Sequence, residues 1–104
     1  MEQFINQIHL RGNLEDLPKF SHENHAKKFY RFYLEVPRLS GTVDRLPVVS
    51  ELSVLETLDL TAGSSLDIRG QIRSHNLSDD TGRHLLVFVF ATEMHAEDGP
   101  PVTM

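Results

Sequence analysis

The 104-residue chain has no cysteine and no tryptophan. Without cysteine there are no disulfides, no thiolate metal sites and no thiol nucleophiles, a composition that fits a reducing cytoplasm. Without tryptophan, any aromatic surface falls to two tyrosines and six phenylalanines. Long apolar runs are also lacking. The longest, Leu85 to Ala91, is too short to span a membrane, and no basic-then-apolar leader opens the chain, so no membrane partner is expected. Nor is there an excess of positive charge. A formal charge of −5 argues against coating nucleic acid by bulk attraction. What remains, 39% hydrophobic and 24% charged residues, is the composition of one globular domain with a single core.

Charge and aromatics are unevenly distributed. Residues 25–50 hold Lys27, Lys28, Arg31, Arg38 and Arg45 against Glu35 and Asp44, whereas 51–67 hold Glu51, Glu56, Asp59 and Asp67 and no cation. Arg69, Arg73 and Arg83 follow. Half of the aromatics fall in Lys27-Lys28-Phe29-Tyr30-Arg31-Phe32-Tyr33, a stretch that reads as a β-strand. Alternation puts Phe29, Arg31 and Tyr33 on one face and Tyr30, Phe32, Leu34 and Val36 on the other. The second face can fill a core. The first offers rings and a guanidinium, which suit unpaired bases and phosphates. The competing reading is that all four rings pack internally and Arg31 lies along the surface.

Around that strand, residues 4–12 alternate at Ile8 and Leu10 and stop at Gly12, a first strand. Asn13 to Ala26 reads as a polar connection. The aromatic strand runs from Lys27 to Val36, ended by Pro37. Val43 to Val49 is a third strand, with Pro47 at an unpaired or bulged position. Ser50 to Ala62 carries Leu52, Leu55 and Leu58 at helical spacing, Ser53 and Glu56 as a capping box, and Gly63 to close it. Ser65 to Ser74 is a fourth strand with a bend or bulge at Gly70, Asn76 to Gly82 a hairpin loop, and His84 to Glu93 a fifth strand. That last strand is apolar on both faces, so one face packs under loops or the tail, or meets another subunit. Five strands with one short helix between strands 3 and 4 is the pattern of the all-β OB-fold Greek-key barrel. The expected organisation is this domain over residues 1–96 and a short disordered tail over 97–104, with Gly99-Pro100-Pro101. Tyr30, Phe32, Leu34, Leu46, Val48, Ile68 and Ile8 are expected in one core.

Two motifs carry a family resemblance. Asn6 through Gly12-Asn13-Leu14, then Pro18, resembles the opening of bacterial single-stranded DNA-binding proteins. Gly63 followed by Leu66-Asp67-Ile68-Arg69-Gly70-Gln71-Ile72-Arg73-Ser74 resembles that family's fourth strand, with its Gly-Gln-Leu-Arg core nearly reproduced. The likeness covers about residues 5–94 and is nearest to the short, tail-less members. It implies an OB fold, sequence-nonspecific binding of single-stranded DNA in replication, repair or replication restart, a homo-oligomer (commonly a dimer paired through first strands, here around His9 and Arg11), and support of a replication-restart helicase. The chain departs from the family in lacking the usual stacking tryptophans, with Val43 and Val49 at ring-bearing positions of the third strand. With only Glu97-Asp98 near Met104, the family's long flexible segment with an acidic, phenylalanine-tipped end is not expected. Weaker or more specialised binding is the expectation.

Transferred by position, the nucleic-acid-binding candidates are Phe29, Arg31 and Tyr33 on the second strand and Arg45, which falls where the family has a DNA-contacting arginine. The alternative for Phe29 is closing the barrel end. Lys27, Lys28 and Arg38 flank the strand, with solvated ends as the alternative, and Arg73 and His75 lead into the loop between strands four and five. His22 and His25 lack the spacing and the helix of a metalloprotease motif and read as loop histidines. No nucleophile motif or phosphate-cradling glycine loop occurs, so no catalytic residue, metal or cofactor is expected. Two rival readings stay open: an OB module whose Phe29–Tyr33 surface meets a protein, and a binder of single-stranded RNA.

Overall fold

The computed structural model describes residues 5–97. Six strands lie among them, β1 (Ile8–Leu14), β2 (Lys19–Asn24), β3 (Lys27–Pro37), β4 (Val43–Glu51), β5 (Ser65–Asp79) and β6 (Gly82–Glu97), with a single helical turn, α1 (Leu52–Leu55), after β4; apolar residues recur along all of them but the polar β2. They pair in the order β1-β5-β6-β4-β3-β2, and β1 pairs again with β3. That last pairing, Asn13 opposite Glu35 and Leu14 opposite Leu34, closes β1, β5, β6, β4 and β3 into a ring. All pairings are antiparallel except β4 with β6, where Val48, Val49 and Ser50 meet Val89, Phe90 and Ala91 in parallel.

Inside the ring lie Leu14, Phe32, Leu34, Val48, Leu55, Leu66, Ile68, Val89, Ala91 and Met94. Of the core expected from alternation, Phe32, Leu34, Val48 and Ile68 are buried, Tyr30 and Ile8 pack against them, and Leu46 is half-buried. Two glycines permit the close crossings. A Cβ on Gly12 would lie 2.4 Å from the Glu35 carbonyl oxygen, where β1 crosses β3. A Cβ on Gly70 would lie 2.1 Å from that of Phe90. At Gly70 the register with β6 shifts, Arg69 facing Glu93 and Gly70 facing Ala91. The extra residue, Thr92, donates its hydroxyl to the Arg69 carbonyl at 3.2 Å. This bulge changes the parity of β6, so that both Ala91 and Met94 point inward.

Several expectations are corrected. The described residues form six strands, not five, because the supposed polar connection holds β2, which folds back on β3 with Asn24 opposite Lys27. Its two-residue turn, His25 and Ala26, has positive φ at both positions (50° and 63°), the backbone of a tight hairpin without the glycine that would announce one. The helix is one turn rather than residues 50–62. Its N-cap is Glu51, with no side-chain cap bond, so the Ser53–Glu56 capping box does not form. Beyond it, Thr57, Asp59 and Thr61 propagate a helix poorly. The hairpin loop shrinks to Asp80-Thr81, since β5 and β6 stay paired to Asp79 and Gly82. At its other end β6 runs through Glu97, one residue into the expected tail, whose remainder, 98–104, lies outside the described residues.

Pro47 needs no bulge. It stands opposite Tyr33. The Tyr33 carbonyl accepts from the Glu15 amide at 3.1 Å, on the side away from β4. The Tyr33–Pro47 pair is therefore not hydrogen-bonded, and the proline nitrogen points toward β6, whose ladder starts only at Val48. Pairing of β5 with β1 ends at Gly70, and pairing of β6 with β4 begins at Val89. Beyond these points the β5–β6 hairpin stands out as a two-stranded arm, and it exposes Ile72, Leu85, Leu86 and Val87.

Candidate nucleic-acid interface

Strand pairing assembles one cross-strand row on the outer face. Lys19 of β2 lies opposite Arg31 of β3, Arg31 opposite Val49 of β4, Val49 opposite Phe90 of β6, and Phe90 opposite Gln71 of β5. Neighbouring positions add Tyr33 opposite Pro47 and Arg73 opposite Phe88. The face expected from alternation in β3 therefore continues across five strands. A groove of about 450 Å³ opens along it, lined by Glu15, Asp16, Lys19, Arg31, Tyr33, Arg45 and Phe88 among others.

At one end of this surface Tyr33, 40% exposed, is capped by an arginine. Arg45 pairs across the ladder with Glu35 and reaches diagonally, placing its guanidinium carbon 3.5 Å from the centre of the Tyr33 ring. Its edge is held by Glu15, Nε donating to Oε2 at 2.5 Å and Nη2 to Oε1 at 2.9 Å. The hydrogen bonds from Arg45 hold the Glu15 carboxyl below its ordinary range, and the same bonds push the Arg45 guanidinium up. Lys19 and Arg31 line the same groove and form no ion pair among the described residues.

A second set of rings lies further along. His22 stacks on Phe29 with centroids 4.7 Å apart and planes 9° apart, and Phe29 approaches Phe90 at 6.2 Å. Arg73 caps Phe90, its guanidinium carbon 3.8 Å from the ring centre. What holds Arg73 is the neutral Gln71 side-chain oxygen, accepting from Nη2 at 3.2 Å and Nε at 3.4 Å. Together these give flat groups and cations alternating across the sheet, a surface on which unpaired bases can stack while phosphates meet guanidinium edges.

The sequence candidates divide accordingly. Phe29, Arg31, Tyr33, Arg45 and Arg73 come together on this face. Lys27 and Lys28 are exposed at the β2–β3 hairpin, opposite Asn24 and Glu23. Arg38, at the far end of β3, is bound through Nε and Nη2 to both Asp44 carboxylate oxygens at 2.7 and 2.6 Å. These bonds raise the Arg38 guanidinium and lower the Asp44 carboxyl, so Arg38 is already paired. His75 lies on the arm, exposed, opposite Leu86. Sequence reading missed Glu15, Lys19, His22, Gln71 and Phe90. For Lys19 and His22, alternation in a short polar segment ending at a histidine–alanine pair left only a weak signal. Gln71 lies two residues from Arg73 on the same face of β5 and was open to alternation, whereas Glu15 and Phe90 depend on contacts between segments distant in sequence.

No family model and no curated protein matches this chain. Among solved structures, it is similar to the dimeric N-terminal domain of PriB protein from Thermoanaerobacter tencongensis. The TM-score is 0.78 and the identity 35%, over 90% of this chain and 98% of that one. At this identity and coverage, the chain belongs to the PriB family, the primosomal replication protein N group of OB-fold proteins.

Proposed function

We propose that this protein is an OB-fold Greek-key barrel that binds single-stranded DNA without sequence preference in replication, repair or replication restart, and performs no chemistry of its own. The observation that carries the reading is the continuous outer row of Lys19, Arg31 and Phe90, flanked by the two arginine-capped rings at Tyr33 and Phe90. A base has stacking area on Phe29, on His22 and on the outer side of the Arg45 plane, and each stacked base contributes about 1–3 kcal/mol. Lys19, Arg31 and Arg73 supply the phosphate contacts, with Lys27, Lys28 and His75 at the margins. The reading includes a homodimer, supported by the dimeric state of the PriB domain it resembles, placed in the cytoplasm beside a replication-restart helicase.

The test is titration of a labelled single-stranded DNA, matched RNA and duplex at several salt concentrations. Affinity for the single strand should fall with rising salt by a slope of roughly −0.7 per phosphate contacted. Equal or better binding to duplex, or no binding at low salt, removes the assignment. Sedimentation showing only an 11.8 kDa species at micromolar concentration removes the dimer.

A further inference from the structure

Arg45 is not free in this protein. Both of its hydrogen-bonding positions on one edge are taken by the Glu15 carboxylate, the same two-pronged geometry that an arginine offers a phosphate. Nor is the carboxylate there by a loose side chain's accident. Leu14, next to it, is buried, donates to the Ser64 carbonyl at 2.8 Å and accepts from the Gly63 amide at 2.7 Å. The Glu15 amide is itself bonded to the Tyr33 carbonyl at 3.1 Å. The fold thus fixes a carboxylate beside the ring whose arginine it grips.

Resting on the proposed single-strand binding, we infer that Glu15 is a built-in competitor of the ligand's phosphate, which locks Arg45 over Tyr33 in the free protein and sets the affinity of the groove. A phosphodiester must take Arg45 from Glu15 before that arginine can contribute. Lys19 and Arg31, in the same groove and without ion pairs among the described residues, meet the phosphate first. Exchange then leaves Glu15 without its guanidinium and close to a second anion.

This exchange has a proton signature. The charged groups facing Glu15 across the groove are Arg45, Lys19 and Arg31, with Asp16 beside it in sequence. In the free protein the bonds from Arg45 hold the Glu15 carboxyl low. Once displaced, it returns toward the ordinary range, so binding takes up a proton there. Affinity therefore rises as pH falls from neutrality into the carboxylate range.

The experiment uses the full chain and labelled oligothymidylate, whose bases do not titrate in that range, at fixed salt. Wild type should bind more tightly as pH falls. Glu15→Gln should bind about two- to fivefold tighter than wild type at neutral pH, the size expected on removing one exposed ion pair. It should also lose much of the acid response. In an Arg45→Gln background the Glu15→Gln gain should vanish, whereas simple removal of a negative charge would keep it. Glu15→Ala repeats the test should the glutamine rebuild a bond to Arg45. Three results overturn the inference while leaving single-strand binding intact: wild-type affinity that does not rise with acid, Glu15→Gln no tighter than wild type, or a gain that survives Arg45→Gln. Oligothymidylate bound by neither wild type nor variants defeats the binding reading itself, and this inference with it.

Discussion

The outer face carries the same device twice, an arginine laid over a ring, and the two copies differ in what holds the arginine. Arg45 over Tyr33 is gripped by the Glu15 carboxylate; Arg73 over Phe90 is steadied by the Gln71 amide oxygen. A carboxylate satisfies a guanidinium's charge as well as its geometry, and an amide satisfies only part of the geometry. Arg73 is thus orientated but still electrostatically hungry, whereas Arg45 is orientated and neutralised. In an acidic protein with ten lysines and arginines, which cations are spent internally counts for more than how many there are. Arg38, tied to Asp44, is spent in the same way at the end of β3.

The comparison breaks most violently at Gly70, which aims the Phe90 copy alone. A Cβ there meets the Phe90 carbonyl oxygen at 2.1 Å, a collision with backbone that no rotamer relieves. Gly70→Ala should cost about 3 kcal/mol of stability in urea unfolding, the upper end for forcing atoms into a packed site. Ring proton shifts of Phe90 should move and those of Tyr33 should stay. Loss of the Tyr33 environment as well would mean that the two copies are not independent.

Next in size is removal of a ring. Tyr33→Ala should weaken single-strand binding by about 1–3 kcal/mol with little change in salt slope, because stacking releases few ions. A slope change as large as that from losing an arginine would show that Tyr33 acts mainly by positioning Arg45.

How much of this could be read from the chain depends on how local the cause is. The β3 face was legible, since Phe29, Arg31 and Tyr33 follow from period-two alternation within one segment. Gly70 was legible as a bend, because an isolated glycine in a strand pattern signals one. The β2–β3 turn was not, because His25 and Ala26 adopt positive φ without the asparagine or glycine that usually reveals it. The β2–β3 ladder, from Lys19 opposite Arg31 to Asn24 opposite Lys27, closes directly on that turn. Glu15 was the least legible. It meets Arg45 only because β1 crosses β3 at Gly12 and the Tyr33 carbonyl takes the Glu15 amide, contacts between segments thirty residues apart in the ion pair itself. The pairing of Arg73 with Phe90 likewise needs the register of β5 on β6 past the bulge.

Charge removal should then separate the two arginines. Arg73→Ala should make the salt slope shallower by about 0.7, one phosphate contact on a single strand. Arg45→Ala should change it by less, since the wild-type exchange leaves a bare Glu15 carboxylate that attracts a cation back. Equal changes for the two would mean that Glu15 gives up Arg45 without consequence.

The smallest effect is the most selective, an acid titration of the free protein followed at the two rings. Bonds from Arg45 lower the Glu15 carboxyl in the folded state, so the stabilisation from this pair is complete above the ordinary carboxylate value. It is lost as pH falls through the lowered folded value, where the carboxylate takes its proton and loosens its hold on Arg45. The guanidinium over Tyr33 then gains freedom, and the Tyr33 ring protons should shift with that same low midpoint. Phe90 has Gln71 where Tyr33 has Glu15, and an amide does not titrate, so its ring protons should not follow this step. Asp44, lowered by Arg38, titrates in the same acid window but grips no arginine over a ring. Glu15→Gln should therefore abolish the Tyr33 shift while Asp44→Asn leaves it in place. A Tyr33 shift that persists in Glu15→Gln would remove the carboxylate as the distinction between the two arginine-capped rings.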